Sequence, residues 1–174
     1  MKVINSIDGL LDLVESIHSS NENKKTVILI GGFARGGKTT LARALSKNLS
    51  DKKIKNQVVC LDSWLVSFDE RQPNSKVIER YHTKDMVRSL KKLINGSVIF
   101  PPVFDPVSRR QMKQKGSEPL NFDRGVLIIE GTIALALKEL VDLASLSINI
   151  KISDYIRYKR LIHFYKLVKR LPPE

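Results

Sequence analysis

The sequence contains very few of the residues that crosslinked, membrane-spanning and metal-rich proteins depend on. Only one of its 174 residues is a cysteine, Cys60, which excludes an internal disulfide and is typical of the reducing cytosol. Its three histidines are scattered and lack the spacing of a metal site. No apolar run approaches the roughly 20 residues of a membrane span, and the first five residues do not resemble a secretory signal. We therefore expect a cytoplasmic protein with no membrane partner.

The chain also has fewer acidic than basic residues. The chain has 30 lysines and arginines against 18 acids, a formal net charge of +12, and the excess is concentrated in residues 109–115 and 151–170. Such a charge favours an anionic partner such as a nucleotide, a phosphorylated metabolite or a nucleic acid. Aromatic residues make up only 6% of the chain and are absent from residues 109–115, so no base-stacking platform is evident in that basic segment. Nucleic acid is therefore the less favoured partner, although the charge leaves it open.

Short apolar runs alternate with segments of helical spacing along the whole chain. This alternation predicts an α/β fold with a mostly parallel sheet flanked by helices. The expected strands are residues 26–30, 57–61, 126–129 and 146–152, and the main expected helices are residues 6–17, 40–49, 84–94, 132–143 and 154–170. We predict one domain over residues 1–174, with an N-terminal helix within 1–23, a mobile loop at 105–123 and a basic helix at 153–170.

A glycine-rich turn lies between the first expected strand and the helix that follows it. Its sequence G-F-A-R-G-G-K-T fits the P-loop pattern G-x-x-x-x-G-K-S/T, so the expected α/β fold is the P-loop NTPase fold. Glycines let backbone N–H groups curl around a phosphate, and the helix start adds a positive dipole end. A lysine charge suits the β- and γ-phosphates, and a threonine hydroxyl can bind Mg²⁺. The turn predicts a site for ATP or another nucleoside triphosphate with Mg²⁺, formed by Gly32, Ala34, Arg35, Gly36, Gly37, Lys38, Thr39 and Thr40.

Two acids stand at the ends of expected strands, where open α/β sheets bind their ligands. Glu130 follows an apolar run and is a candidate Mg²⁺ ligand together with Thr39. Asp62 follows the second strand, where it could accept a proton from an attacking hydroxyl or share the metal. Beside a P-loop, we interpret both acids as functional rather than as surface ion pairs.

The order of these motifs resembles the uridine kinase and phosphoribulokinase family over roughly residues 24–170. The resemblance is specific at the P-loop and at Glu130-Gly131, and looser between them. It implies a kinase in which Asp62 is the base and Lys38 acts on the triphosphate. It also implies an acceptor site at Asp105, Arg109 and Arg110, with Tyr81 and His82 where the family has an aspartate-rich acceptor motif. An arginine-bearing lid would correspond to residues 154–160, which makes Arg157 and Arg160 candidate catalytic residues.

The chain departs from that family where the acceptor is recognised. Phe104 replaces a tyrosine, and the loop after Asp105 has no histidine. An acceptor pocket offering Arg109 and Arg110 would suit an anionic or sugar-phosphate substrate at least as well as uridine. The arginine-rich ending of the family's lid is also absent, with residues 163–166 in its place.

The sequence therefore predicts an ATP- and Mg²⁺-dependent kinase that phosphorylates a hydroxyl of a small molecule, such as a nucleoside, a sugar or a sugar phosphate. Two alternatives stay open: a nucleic-acid-binding or polynucleotide-modifying P-loop protein, and a nucleotide-binding module without turnover. The sequence also leaves open which acceptor is used, whether ATP is preferred over GTP, and whether the protein forms a homo-oligomer.

Overall fold

A four-stranded parallel sheet forms the centre of the computed structural model, which describes residues 6–21, 25–112 and 117–167. The strands are β1 (Lys25–Gly32), β2 (Asn56–Cys60), β3 (Phe104–Asp105), β4 (Arg110–Gln111), β5 (Gly125–Glu130) and β6 (Leu146–Ile150). The central sheet has the order β2-β5-β1-β6, and each adjacent pair is parallel. The α/β fold with a mostly parallel sheet is confirmed.

The two inner strands are covered on both faces, as their unbroken apolar runs predict. Every residue of β5 is buried, and so are the six inner residues of β1. Ile28 lies opposite Ile128 and Leu29 opposite Ile129, so side chains of the same row point to the same face. One face packs with Val14, Leu45 and Leu49, and the other with Met86, Leu90 and Leu93. Two apolar layers therefore fix the sheet that carries the site.

Five α-helices flank or extend this sheet in the part of the chain that the structure describes. They are α1 (Ile7–Ser20), α2 (Lys38–Asp51), α3 (Thr83–Ile94), α4 (Lys138–Val141) and α5 (Asp154–Leu167). The side chain of Ser6 begins α1 by accepting a hydrogen bond from the amide of Gly9 at 3.1 Å. Unlike α1 to α4, α5 has no buried residue. Within the described ranges, no helix combines the length and apolar character required to cross a bilayer.

The prediction of a continuous helix at residues 132–143 is wrong. The structure has a 3₁₀ turn at Ala134–Ala136 followed by the four-residue α4. Ile133, Ala134 and Leu137 are buried on one side, as the helical spacing implies. Leu135 would lie on the other side of such a helix, yet it packs closely on Gly31, whose added Cβ would lie 2.5 Å from Leu135 Cγ. Leu135 packs against the same core cluster as Ile133, Ala134 and Leu137, and these contacts with the sheet override the helical period.

The segment predicted as a loop at residues 105–123 contains a small hairpin. Strands β3 and β4 pair Phe104 with Gln111 and Asp105 with Arg110, and Ile99 bridges to Leu120 nearby. The prediction that this loop is mobile is untested, and its residues 113–116 lie outside the described ranges. The ends of the predicted N-terminal and basic helices, at residues 1–5 and 168–170, lie outside them as well.

Replacing Gly125 with alanine should destabilise the fold strongly. Gly125 has a φ of +102°, and an added Cβ would lie 2.0 Å from the carbonyl oxygen of Lys55. The left-handed backbone costs about 1–2 kcal/mol and the overlap about 1–3 kcal/mol, so we expect a loss of about 3 kcal/mol in the free energy of unfolding. Urea denaturation measures this loss.

Gly96→Ala is the matched control for this prediction. Gly96 also has a positive φ, +90°, but a Cβ there would meet only the Lys25 amine at 3.8 Å. We expect the backbone cost alone, about 1–2 kcal/mol. Equal losses in the two variants would contradict the steric account of Gly125.

Candidate active site

The glycine-rich turn closes tightly between β1 and α2. Gly32 has a φ of +137°, and an added Cβ would lie 2.6 Å from the carbonyl oxygen of Ile150. The amide of Gly36 donates to the carbonyl of Phe33 at 3.0 Å, which curls the loop. Helix α2 begins at Lys38, so its positive end faces the inside of the turn. As the sequence predicts, the strand is followed directly by the glycine-rich turn and then by the start of the helix.

Lys38, Thr39 and Glu130 meet at the base of this turn. The Lys38 amine donates to the carbonyl of Phe33 at 3.0 Å, and the Thr39 hydroxyl donates to Oε1 of Glu130 at 2.8 Å. Only 8% of Lys38 and 2% of Glu130 is exposed. Burial lowers the pKa of Lys38, and the charges of Asp62 and Glu130 oppose that shift. Glu130 ends β5, next to the strand that leads into the turn.

The oxygen ligands at this point suit a hard divalent cation. Mg²⁺ binds one or two carboxylate or hydroxyl oxygens and keeps several waters, and Thr39 with Glu130 supplies such a pair. Within the described ranges, no group of three or more histidines, cysteines or acids is arranged to hold a metal ion. The residues present therefore fit a Mg²⁺ that shares its coordination with substrate phosphates.

Asp62 lies in a 3₁₀ turn, Leu61–Trp64, which directly follows β2. Its Oδ1 accepts a hydrogen bond from the Tyr81 hydroxyl at 2.9 Å, and Thr132 hydrogen-bonds the same tyrosine. Burial and the Asp62 charge raise the pKa of Tyr81, so the phenol stays protonated and acts as a donor. Asp62, Lys38 and Glu130 line one open cleft of about 1780 Å³. The two strand-end acids thus share one site with the P-loop.

Cys60, the last residue of β2, lies between these acids. It is partly buried and pairs with Glu130 across the sheet. Burial, together with the charges of Glu130 and Asp62, raises the pKa of the Cys60 thiol far above its ordinary value. The thiol is therefore a neutral, structural group at physiological pH.

The predicted acceptor residues occupy different surroundings. The carboxylate of Asp105 accepts from the amides of Val107 and Ser108, both at 3.0 Å, and so closes the hairpin turn. The guanidinium of Arg109 stacks on Phe68, with Cζ 3.6 Å from the ring centroid. The exposed side chain of Arg110 instead pairs with Asp69 at 3.1 Å.

Of the other two predicted acceptor residues, only Tyr81 contacts the site directly. It does so through its hydrogen bond to the carboxylate of Asp62. His82 begins α3 with an exposed side chain, and its backbone amide donates to Trp64. The residues that line the cleft include Asp62 and Pro106 but not His82. The substrate-binding roles of both residues remain predictions.

Helix α5 lies against the P-loop through paired cationic and aromatic groups. Arg157 lies over the ring of Phe33, with Cζ 4.8 Å from its centroid, and Arg35 lies over Phe164 at 3.3 Å. Arg160 donates to the carbonyl of Arg35 at 3.3 Å. The structure therefore places both predicted lid arginines beside the phosphate turn. Their catalytic role remains a prediction.

Sequence reasoning did not single out Arg71, which lies near Phe68 together with the predicted acceptor residue Arg109. Its Nε donates to the carbonyl of Val66 at 2.9 Å, and its Cζ lies 5.9 Å from the ring of Phe68. Burial and the neighbouring charges of Arg109 and Arg80 lower the pKa of Arg71. Val66 and Phe68 are near it in sequence, but Arg109 comes from a distant segment and is brought close only by the fold.

The sheet and the site define a P-loop nucleotide-binding protein. The sheet is parallel, the glycine-rich turn joins a strand to a helix, and a buried acid is hydrogen-bonded to the threonine of that turn.

Comparison with known proteins narrows this class. A family model described as an AAA domain matches residues 28–163, and the chain belongs to this family. Uridine kinases from two strains of Streptococcus pneumoniae, serotype 19F (strain G54) and Hungary19A-6, are 29% identical over 146 residues. The match covers 81% of this chain and 67% of each relative.

Solved structures share the fold at low sequence identity. A candidate fructose transport system kinase from Silicibacter sp. TM1040 matches 97% of this chain and 85% of its own, with a TM-score of 0.82 and 18% identity. A candidate uridine kinase from Bacillus stearothermophilus matches 94% and 91%, with a TM-score of 0.70 and 19% identity. The predicted likeness to uridine kinase-like P-loop proteins is confirmed.

Proposed function

We propose that the chain is an ATP- and Mg²⁺-dependent kinase that transfers the γ-phosphoryl group to a hydroxyl of a small molecule in the cytoplasm. One observation carries the proposal. The carboxylate of Asp62 faces the same cleft as the Lys38 amine and the Thr39–Glu130 pair. A phosphate cradle alone would suit many nucleotide-binding proteins, but a carboxylate on its acceptor side suits phosphoryl transfer to a hydroxyl. The uridine kinase names of the relatives support the same reaction class.

In the proposed reaction, the acceptor oxygen attacks the γ-phosphorus of ATP and forms a new O–P bond. The bond from the γ-phosphorus to the β,γ-bridging oxygen breaks, and ADP leaves with that electron pair. Asp62 accepts the proton of the acceptor hydroxyl. Lys38 and the backbone amides of the turn hold the phosphates and offset the charge that develops on them. Mg²⁺, held by Thr39 and Glu130 with or without Asp62, would neutralise phosphate charge.

An acceptor panel tests the proposal directly. Purified protein with Mg²⁺ and γ-labelled ATP is incubated with nucleosides, sugars and their monophosphates, and label transfer is followed by chromatography. We expect transfer to at least one acceptor, and no transfer when EDTA removes the metal. If ATP binds but label reaches no acceptor, the protein is a binding module. Tight, steeply salt-dependent binding of RNA or DNA without small-molecule transfer would favour the polynucleotide alternative.

Tyr81→Phe tests how Asp62 is held. The change removes the hydroxyl that donates to Asp62 Oδ1 and keeps the buried ring in place. A hydrogen bond to a charged group contributes about 1.5–3 kcal/mol, so a loss of about tenfold in kcat is expected where that bond orients the base. KM for ATP should not change, because Tyr81 does not line the phosphate turn.

The exposed Tyr155 on α5 provides the matched control for this change. Tyr155→Phe should leave both kcat and KM near their original values. A Tyr81→Phe enzyme that keeps full kcat would contradict an orienting role for the phenol.

A further inference from the structure

Arg35 lies in the middle of the glycine-rich turn and contributes a guanidinium to the site. Its backbone has a φ of +62°, in the left-handed region that residues with a side chain rarely adopt. Such a backbone persists only where the surrounding structure holds it, and residues of this kind are concentrated at functional sites. Arg35 lines the cleft together with Lys38, Asp62 and Glu130. The turn therefore presents the Arg35 guanidinium to the same cleft as the Lys38 amine.

Two contacts from α5 hold Arg35 in place. The ring of Phe164 covers the guanidinium, whose Cζ lies 3.3 Å from the ring centroid, and Arg160 donates to the carbonyl of Arg35 at 3.3 Å. Stacking uses the face of the guanidinium, whereas its five N–H donors lie in its plane and point outwards. Within the described ranges, the structure gives these N–H groups no hydrogen-bond partner. The guanidinium is therefore positioned and still able to bind an anion.

Arg35 interacts electrostatically with both Lys38 and Asp62. Desolvation lowers the pKa of Arg35, and the charge of Asp62 opposes that shift. Desolvation also lowers the pKa of Lys38, where the charge of Asp62 opposes the shift and the charge of Arg35 adds to it. In the proposed reaction, the phosphoryl group passes from ATP held by Lys38 to a hydroxyl whose proton Asp62 accepts. The guanidinium thus lies within electrostatic reach of both ends of that path.

We propose that Arg35 is a further catalytic residue, whose guanidinium contacts the γ-phosphoryl group during transfer and stabilises the charge on its oxygens. This inference rests on the proposed function and adds a residue to its catalytic machinery. The acceptor oxygen forms the new O–P bond, ADP leaves with the electron pair of the broken bond, and Asp62 takes the proton. Arg35 exchanges no proton in this step, and its planar fork matches two phosphate oxygens at once. Phe164 acts as a positioning residue through the stack.

Single-turnover transfer tests this role, with an acceptor found by the panel or, if none is found, with water as the acceptor in ATP hydrolysis. Arg35→Gly removes the guanidinium and suits the left-handed backbone, so the turn should keep its shape. We expect the transfer rate to fall by about 10² to 10³, the typical loss for one donor that stabilises transition-state charge. ADP affinity should change by less than about threefold, because ADP lacks the γ-phosphoryl group. Free guanidinium ion should restore part of the lost rate.

Aluminium fluoride provides a second measurement that needs no turnover. With ADP and Mg²⁺, it mimics the transferring phosphoryl group, so a site built for that group should bind ADP about tenfold or more tightly when it is present. Arg35→Gly should lose most of this gain. Arg35→Lys keeps the charge but loses the fork, and intermediate values of both the transfer rate and the gain are expected.

Substitutions at Phe164 test how the guanidinium is positioned. Phe164→Leu removes the stack and leaves Arg35 in place, so the transfer rate should fall by about three- to tenfold with little change in ADP affinity. Phe164→Tyr retains an aromatic face and should restore most of the rate that the leucine variant loses.

Arg88→Gln is the matched control for the arginine substitutions. Arg88 is an exposed residue of α3 that pairs with Asp85 at 3.5 Å, outside the residues that line the cleft. Both the transfer rate and the effect of aluminium fluoride should stay within about twofold of their original values. Circular dichroism and ADP affinity show that each variant is folded.

Four results would overturn the assignment: a full transfer rate in Arg35→Gly, no effect of aluminium fluoride on the unaltered protein, an undiminished effect in Arg35→Gly, or an equal loss in Arg88→Gln. These results are separable from failure of the proposed function. Full-rate transfer to a small-molecule acceptor by Arg35→Gly would leave the kinase standing and remove Arg35 from its machinery. An aluminium fluoride effect that depends on Arg35, without label transfer to any acceptor, would remove the kinase and keep the contact.

Discussion

Asp62→Asn is expected to leave nucleotide binding nearly intact while the rate of phosphoryl transfer collapses. The amide keeps the shape of the side chain and can still accept the hydrogen bond from Tyr81, but it cannot take up the acceptor proton. General-base catalysis typically contributes a factor of about 10² to 10⁴, so kcat should fall by that amount. Single-turnover transfer measures the chemical step, and calorimetry with AMP-PNP measures nucleotide affinity.

Asp142→Asn provides the control for this substitution. Asp142 is an exposed acid at the end of α4, paired with Lys138 at 2.7 Å and remote from the cleft residues. It makes the same chemical change without approaching the site, and kcat should stay within about twofold. An Asp62→Asn enzyme with unchanged kcat would take Asp62 out of the base role. A loss of nucleotide affinity as large as the loss of kcat would point instead to a disturbed phosphate site.

Lys38→Met is expected to abolish most ATP binding and nearly all turnover. Only 8% of Lys38 is exposed, and nearby carboxylates help to keep its amine charged. Methionine has nearly the same length and apolar stem, so the packing around α2 should persist. Losing one preorganised charge from a phosphate site typically costs a factor of about 10² to 10³ in rate. ATP affinity should weaken by about tenfold or more, as expected for a lost charge-assisted contact.

Lys47→Met is the natural comparison, because it lies on the same helix. Lys47 is exposed and pairs with Asp51 across one turn, a contact of small energetic weight. We expect normal ATP affinity and turnover in this variant. If Lys38→Met bound ATP as the unaltered protein does, the glycine turn would not be the triphosphate site, and the proposed chemistry would lose its foundation.

Local sequence signals were sufficient to predict the phosphate side of the site. A buried strand, the glycine pattern and a helix start are consecutive in the chain, so the turn could be located without any knowledge of packing. The position of Glu130 beside the turn could be predicted because the carboxyl ends of parallel strands meet at one edge of a sheet. Its bond to Thr39, across 91 positions of sequence, follows from that topology.

The acceptor side was less predictable because its geometry comes from long-range contacts. The sequence around Phe68 and Arg71 does not indicate that Arg109 will approach them, since the hairpin at residues 104–111 brings Arg109 there. Long-range packing also explains why the helix predicted at residues 132–143 is not continuous. There, the packing of Leu135 on Gly31 outweighs the helical periodicity of the sequence. Arg109 and Arg110 are adjacent in sequence, yet one stacks on an aromatic ring and the other pairs with an acid.

The suppressed acidity of Cys60 has a practical consequence for labelling chemistry. Maleimides and iodoacetamides react with thiolates, and burial together with the charges of Glu130 and Asp62 raises the pKa of the only cysteine of this chain. We therefore expect such reagents to label the unaltered protein very little at neutral pH. A cysteine introduced on α5 would carry a fluorophore or spin label at a single position, without removal of the native thiol.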